Sequence, residues 1–175
     1  MNVKQLMEKA VEFHGHACPG LALGILISKY MLEHGFNPAM DEELVAVVEN
    51  NNCSVDALQA LLKTTFGKGN LIYKDFGKNN YTIYSRKLKK GIRLSLKGHA
   101  FREEGLSREE RLEKILNANP EDILNIQEVE FNPPEMAKIE KSYPCDVCKE
   151  LTMESRLTNY EGKRLCKECL KKITN

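Results

Sequence analysis

The chain has no tryptophan, only four histidines, and a net charge of +1 from 26 basic and 25 acidic residues among 175. With the two signs balanced, no global field draws it to nucleic acid or to an anionic membrane. Long hydrophobic runs are also missing. The longest, LALGILI at 21–27, falls far short of the roughly 20 residues that cross a bilayer. The opening MNVKQLMEKAVEFHGH is interrupted by charges and does not carry the apolar stretch of a secretory signal. Six cysteines without an export signal lead us to expect a cytoplasmic protein, in a reducing compartment where thiols hold metal rather than pair. There is no internal repeat beyond two cysteine pairs, no low-complexity tract, no Ser/His/Asp triad and no dinucleotide fingerprint.

What is present is sharply local. Near the C-terminus stand Cys145-x-x-Cys148, seventeen intervening residues, and Cys166-x-x-Cys169. Zinc takes four soft ligands in a tetrahedron, and each C-x-x-C pair offers two sulfurs from one tight turn. A module this small cannot bury an adequate core, so metal binding would act as folding free energy. Two disulfides or two redox dithiols are the alternatives, and the doubled pair with its spacing favours zinc. The last thirty-one residues carry seven basic and five acidic side chains, too even for a strong nucleic-acid footprint.

The rest reads as one ordinary domain with 42% hydrophobic residues, enough for a core. Val3, Leu6, Met7, Ala10 and Val11 fall on one helical stripe, and Pro19 opens a second, mostly buried helix stopped by Gly35. LVAVVE at 44–49 is a buried strand, and VDALQALLKTTF a helix. LIYKDF, NYTIYS and GIRLSLK read as sheet, with IQEVEF a last strand. Ser107 and Glu110 form a capping box for SREERLEKIL. The Pro133-Pro134 pair and MAKIEKSYP make a linker or bridging helix. We therefore expect an α+β fold with helices on a mostly antiparallel sheet, plus a small zinc-ribbon or treble-clef-like module. The boundaries are a core at 1–132, a linker at 133–142 and a four-cysteine zinc-finger domain at 143–175.

His14, His16 and Cys18 crowd the junction of the first two helices. Cys18 would sit at a helix N-cap, where backbone N–H groups favour thiolate, and Cys53 stands likewise ahead of its helix. Asp56 and Gln59 follow on one face of that helix. Brought together, these imidazoles and thiolates would bind zinc or another transition metal, whereas apart they are buried apolar cysteines and capping histidines. His34 reads as a cation at a helix C-terminus, and His99 has no evident partner. GKGN at 67–70 is an incomplete phosphate loop. Arg86, Lys87, Lys89, Lys90, Arg93 and Lys97 read as solvated charges on an edge strand rather than a nucleic-acid contact.

FHGHACPGLALG at 13–24, ELVAVVENNNCSVDALQ at 43–59 and TFGKGNLIYKDFGK at 65–78, in that order, resemble the FmdE family of formylmethanofuran dehydrogenase subunits. The resemblance implies an intertwined homodimer and a cleft lined by His14, His16, Cys18, Cys53, Asp56 and Gln59. Many members of that family carry a further Gly-Cys where this chain has Lys63-Thr64, and the missing thiol speaks against a redox or three-cysteine site. We expect a structural zinc on Cys145, Cys148, Cys166 and Cys169, and a second metal, zinc or another, on His16, Cys18 and Cys53. His14 would be an optional ligand that lines the substrate cleft with Asp56 and Gln59. The metal would act as a Lewis acid or a source of hydroxide in hydrolysis or one-carbon chemistry. A metal-sensing regulator whose finger docks on protein or nucleic acid is the alternative, and an accessory component of a larger oxidoreductase complex is a third.

Overall fold

The computed structural model describes residues 2–98, 100 and 105–174. The chain divides into two compact units, Met1–Ala137 and Lys138–Asn175. Among the described residues, no helix is long and apolar enough to cross a membrane.

The first unit begins with helix α1, Val3–His14, opened by a capping box between Asn2 and Gln5 and closed by Gly15 at φ 95°. That left-handed position suits glycine because it lacks a Cβ. Helix α2, Pro19–Glu33, starts with proline in its first turn and ends at His34. Leu21 through Ser28 are all buried, so α2 is the central helix and not a surface one. One side packs Leu23, Leu26 and Ile27 toward the sheet, and Leu21 and Ile25 meet Leu6 and Ala10 of α1. Strand β1, Leu44–Val48, is buried along its length, and α3, Ser54–Leu62, follows after a short turn.

Strands β2 (Leu71–Tyr73), β3 (Asn80–Ser85), β4 (Lys90–Leu96) and β5 (Leu124–Val129) complete a sheet of order β2-β1-β3-β4-β5. The sheet is mixed: β2 runs parallel to β1, and the other pairings are antiparallel. A parallel partner needs a crossover, and α3 supplies it. Helices α4, Arg108–Leu116, and α5, Pro120–Ile123, lead into β5, with the expected capping box on Ser107 and Glu110. Leu44, Ala46, Val48, Tyr81, Ile83, Leu94 and Leu124 form the sheet's share of the core.

One sequence expectation changes, and two open alternatives are narrowed. Strand β4 lies between β3 and β5, so its basic residues are not on an edge. Two of them are used locally, Arg93 pairing with Glu49 at 3.2 Å and Lys90 with Glu128 at 3.7 Å, and Arg86, in the turn before β4, donates to the carbonyls of Glu42 and Pro134. The stretch 131–141 forms no bridging helix. It is tied down instead, with the Ala137 N–H on the buried Glu42 carboxylate at 3.0 Å and the Ala137 side chain against Gly69. The GKGN loop is structural and not a phosphate cradle. Lys68 Nζ donates to the carbonyls of Ala39 and Asp41, and the buried Asn70 amide donates to those of Asp41, Leu44 and Lys63. His34 stands at the end of α2, its Nδ1 2.7 Å from the Tyr30 carbonyl. His99 lies outside the described residues.

The second unit is two hairpins and a helix. Strands β6 (Ser142–Pro144) and β7 (Leu151–Met153) flank the first cysteine pair. After a short 3₁₀ turn, β8 (Leu157–Tyr160) and β9 (Lys163–Cys166) deliver the second pair into α6, Lys167–Thr174. Asp146 links the hairpins, exchanging backbone and side-chain hydrogen bonds with Arg164. Among the described residues, Cys145, Leu165 and Cys169 are the buried members of this unit's cluster.

Candidate metal centres and cleft

In the C-terminal unit the sulfurs of Cys145, Cys148, Cys166 and Cys169 all lie within 4.8 Å of one another. Lys149, at φ 65°, makes the tight turn after the first pair, and its N–H returns to the Cys145 carbonyl. The Cys166 N–H donates to Cys145 Sγ at 3.4 Å and draws that thiol down to about 6. Crowding, led by Cys166, pushes Cys169 up to about 12. Four adjacent sulfurs cannot all ionise without a cation among them, and a divalent metal supplies that charge. The donor set is all sulfur and closed. It fits structural zinc.

The core centre is built where α1, α2 and α3 meet. Gly15 turns the chain between α1 and α2, and the ligand atoms of His14, His16 and Cys18 come within 4.8 Å of one another. The His14 and His16 ring centroids are 4.6 Å apart. Cys18 is buried at the α2 N-cap, its Sγ accepting the Leu21 N–H at 3.4 Å, as a helix start requires. His14 Nε2 is 3.9 Å from Cys18 Sγ, and its Nδ1 is 2.7 Å from Asp56 Oδ2. A carboxylate accepts only, so Nδ1 donates to Asp56 and Nε2 faces the sulfur.

Cys53 lies outside that set of three. Helix α2 nevertheless approaches α3 so closely that a Cβ on Gly20 would stand 3.8 Å from Cys53 Sγ and 4.0 Å from Cys18 Sγ. Both thiols therefore flank the same point. Burial, and then the neighbouring Cys18, push the Cys53 thiol above its ordinary value. Sequence reasoning assigned His14 a secondary part, whereas the geometry groups it with His16 and Cys18. Thr64 is fully buried and donates to the Leu58 carbonyl.

Beside this centre opens a cavity of about 370 Å³. His14, Cys53, Asp56 and Gln59 line one side, and Val48, Val55, Leu71, Phe66 and Tyr73 supply apolar surface. Asn50, Asn51 and Asn52 complete it. The asparagines also shape the turn before α3. Asn50 donates to the Lys78 carbonyl, the Asn52 side-chain oxygen accepts from the Ser54 N–H, and Ser54 meets the buried Tyr81 hydroxyl. This support was missed in the sequence. The Asn-Asn-Asn run ahead of a helix is an Asx-turn signal that could have shown half of it.

Comparison with known proteins agrees with this architecture. A family model described as FmdE, molybdenum formylmethanofuran dehydrogenase operon, matches residues 13–132. A prokaryotic dksA/traR C4-type zinc finger model matches residues 138–175. A probable S-adenosyl-L-methionine-binding protein of Archaeoglobus fulgidus is 33% identical over 196 residues, covering 94% of this chain and 52% of that protein. The chain thus spans about half the length of the curated relative it matches. The crystal structure of a tungsten formylmethanofuran dehydrogenase FmdE-like protein from Syntrophus aciditrophicus superposes with a TM-score of 0.72 at 25% identity, covering 97% of this chain and 92% of that one. This chain belongs to the FmdE family and carries a C4-type zinc finger at its C-terminal end.

Proposed function

We propose that the core cleft is a metal-assisted binding site for a small one-carbon carrier, with His14, His16 and Cys18 as ligands and Cys53 as a fourth donor. The observation that carries this reading is the polarised His14 ring, clamped by Asp56 at 2.7 Å with its free nitrogen toward Cys18. Metal-binding imidazoles are oriented in this way by a carboxylate behind them. Two imidazoles and two thiolates suit zinc or a similar borderline ion, which when bound would supply Lewis acidity to a ligand atom. The chain's own residues do the rest. Asp56 and Gln59 orient the cleft, the apolar wall excludes water, and Asn51, whose amide makes no hydrogen bond among the described residues, offers it to a polar edge.

Membership of the FmdE family supports one-carbon chemistry for the substrate class, and the name of the Archaeoglobus relative makes S-adenosyl-L-methionine the first ligand to try. Metal analysis of purified protein tests the site. The wild type should hold two ions per chain, and Cys53→Ser should hold one while keeping the finger's zinc. An unchanged stoichiometry in that variant would remove Cys53 from the site.

A further inference from the structure

The donor atoms of the core centre are joined to the rim of the cavity by an unbroken run of polar contacts. Cys18 Sγ lies 3.9 Å from His14 Nε2, and His14 Nδ1 lies 2.7 Å from Asp56 Oδ2. The second Asp56 oxygen, Oδ1, accepts from Gln59 Nε2 at 3.2 Å. Gln59 Oε1 in turn accepts the backbone N–H of Phe66 at 3.3 Å. An amide has a donor end and an acceptor end, and here both are engaged, one toward the metal side and one toward the rim. Glutamate or leucine at 59 could not serve both. Phe66 is 75% exposed and lines the cavity, and Tyr73 opposes the same space at 40% exposure, its hydroxyl held by Asp75 at 2.7 Å. Phe66 is held at its backbone by Gln59 and Tyr73 at its hydroxyl by Asp75, which leaves both ring faces exposed to the cavity. Val48, Val55 and Leu71 add flat apolar wall, and the side chain of Asn51 makes no hydrogen bond among the described residues.

We propose that this cavity takes a flat heteroaromatic ring and that Gln59 couples the seating of that ring to the core metal. The proposal rests on the metal reading above and deepens it. Exposed aromatic faces over an apolar wall recover stacking energy from any planar π system, and a free amide at the edge selects one that carries hydrogen-bonding atoms. The 370 Å³ offer the room of about twelve waters at roughly 30 Å³ each, enough for a fused ring and a short substituent. A metal held by His14, His16 and Cys18 would fix the His14 ring, and through it Asp56 and the Gln59 amide in the orientation that receives Phe66. Loss of that ion would leave the ring held by Asp56 alone and loosen the anchor of the rim. Two sites joined in this way favour each other's ligands reciprocally.

Calorimetric titration with adenosine as the ring probe, and ribose as the same sugar without the ring, tests the proposal on the full chain. Zinc-loaded wild type should bind adenosine and not ribose. Phe66→Ala should weaken adenosine by about tenfold. Cys18→Ser removes a core ligand, keeps an N-cap oxygen and does not line the cavity, so the finger's zinc remains. In this variant adenosine should weaken at least about fivefold. Gln59→Leu should still hold two ions per chain, yet in its background Cys18→Ser should no longer change adenosine affinity. Ribose binding as tightly as adenosine would overturn the ring assignment. Equal adenosine affinity in wild type and Cys18→Ser, with metal analysis showing that the wild type holds its second ion, would overturn the coupling alone. A wild type with one ion would overturn the metal reading, and the coupling with it.

Discussion

The His14 side chain concentrates most of the chemistry of the core centre. Asp56, forty-two positions along the chain, sets its tautomer. Replacing Asp56 with asparagine would put an amide that can donate where only an acceptor now stands, and the ring would lose its orientation. We expect Asp56→Asn to lower core-metal affinity by about 10–100-fold while leaving the finger's zinc unaffected, as read by competition with a chromophoric chelator. The turn that presents Cys53 leans on Ser54 and the Tyr81 hydroxyl. Burial holds the Tyr81 phenol above its ordinary value of 10.0. A raised folded-state value means that this contribution to stability is complete below pH 10 and is lost as pH rises through the folded value. Wild type should therefore lose urea resistance more steeply than Tyr81→Phe above pH 10, and parallel curves would count against it. His14, His16, Cys18, Cys53, Asp56 and Gln59 were all legible as candidates because the signal lies in residue type and short spacing. That Asp56 serves His14 was not legible, since no local pattern records which carboxylate reaches which ring.

Two close approaches between helices α2 and α3 make the centre. A Cβ on Gly24 would overlap the Ser54 carbonyl and stand 2.8 Å from the Ala57 side chain, and Gly20 faces Cys53. Gly24→Ala should push the helices apart, cost about 1–3 kcal/mol in urea unfolding, and weaken the core metal even though it touches no ligand. An unchanged urea midpoint would show that the contact is slack. Helix α1 was readable from its apolar stripe, α2 from Pro19 at its first position and α4 from the Ser107–Glu110 capping box, all of them local signals. Strand pairing was less readable. Strand β2 looks like its antiparallel neighbours in composition, and its parallel partnership with β1 follows from the α3 crossover. The basic residues of β4 pointed to an edge, but β5 returns after the long excursion through α4 and α5 and covers them. The segment after Pro133-Pro134 could have been a helix, yet it forms none, and Arg86 and Glu42 hold the backbone of Pro134 and Ala137 instead.

The molecule as a whole is two units held by different physics. The first has an extensive hydrophobic cluster of its own, whereas the buried cluster of the second, among the described residues, is Leu165 with two of the cysteines, Cys145 and Cys169. A strong chelator should unfold 138–175 and leave the first unit cooperative, seen as proteolysis confined to the C-terminal unit with the core's thermal transition retained. Loss of the core transition in the same experiment would mean that the first unit also depends on metal for its fold. Sequence alone determined the closed sulfur site, the helix starts and the list of residues able to hold a second ion. Each of these is written within a few neighbouring positions, where ligand spacing and capping are local chemistry. Only the tertiary structure decided that His14 meets Asp56, that Cys53 stands near Cys18, and that a cavity lies beside them. Such distances are set by how closely α2 and α3 pack on the sheet, a sum over many buried contacts that no short stretch of chain contains.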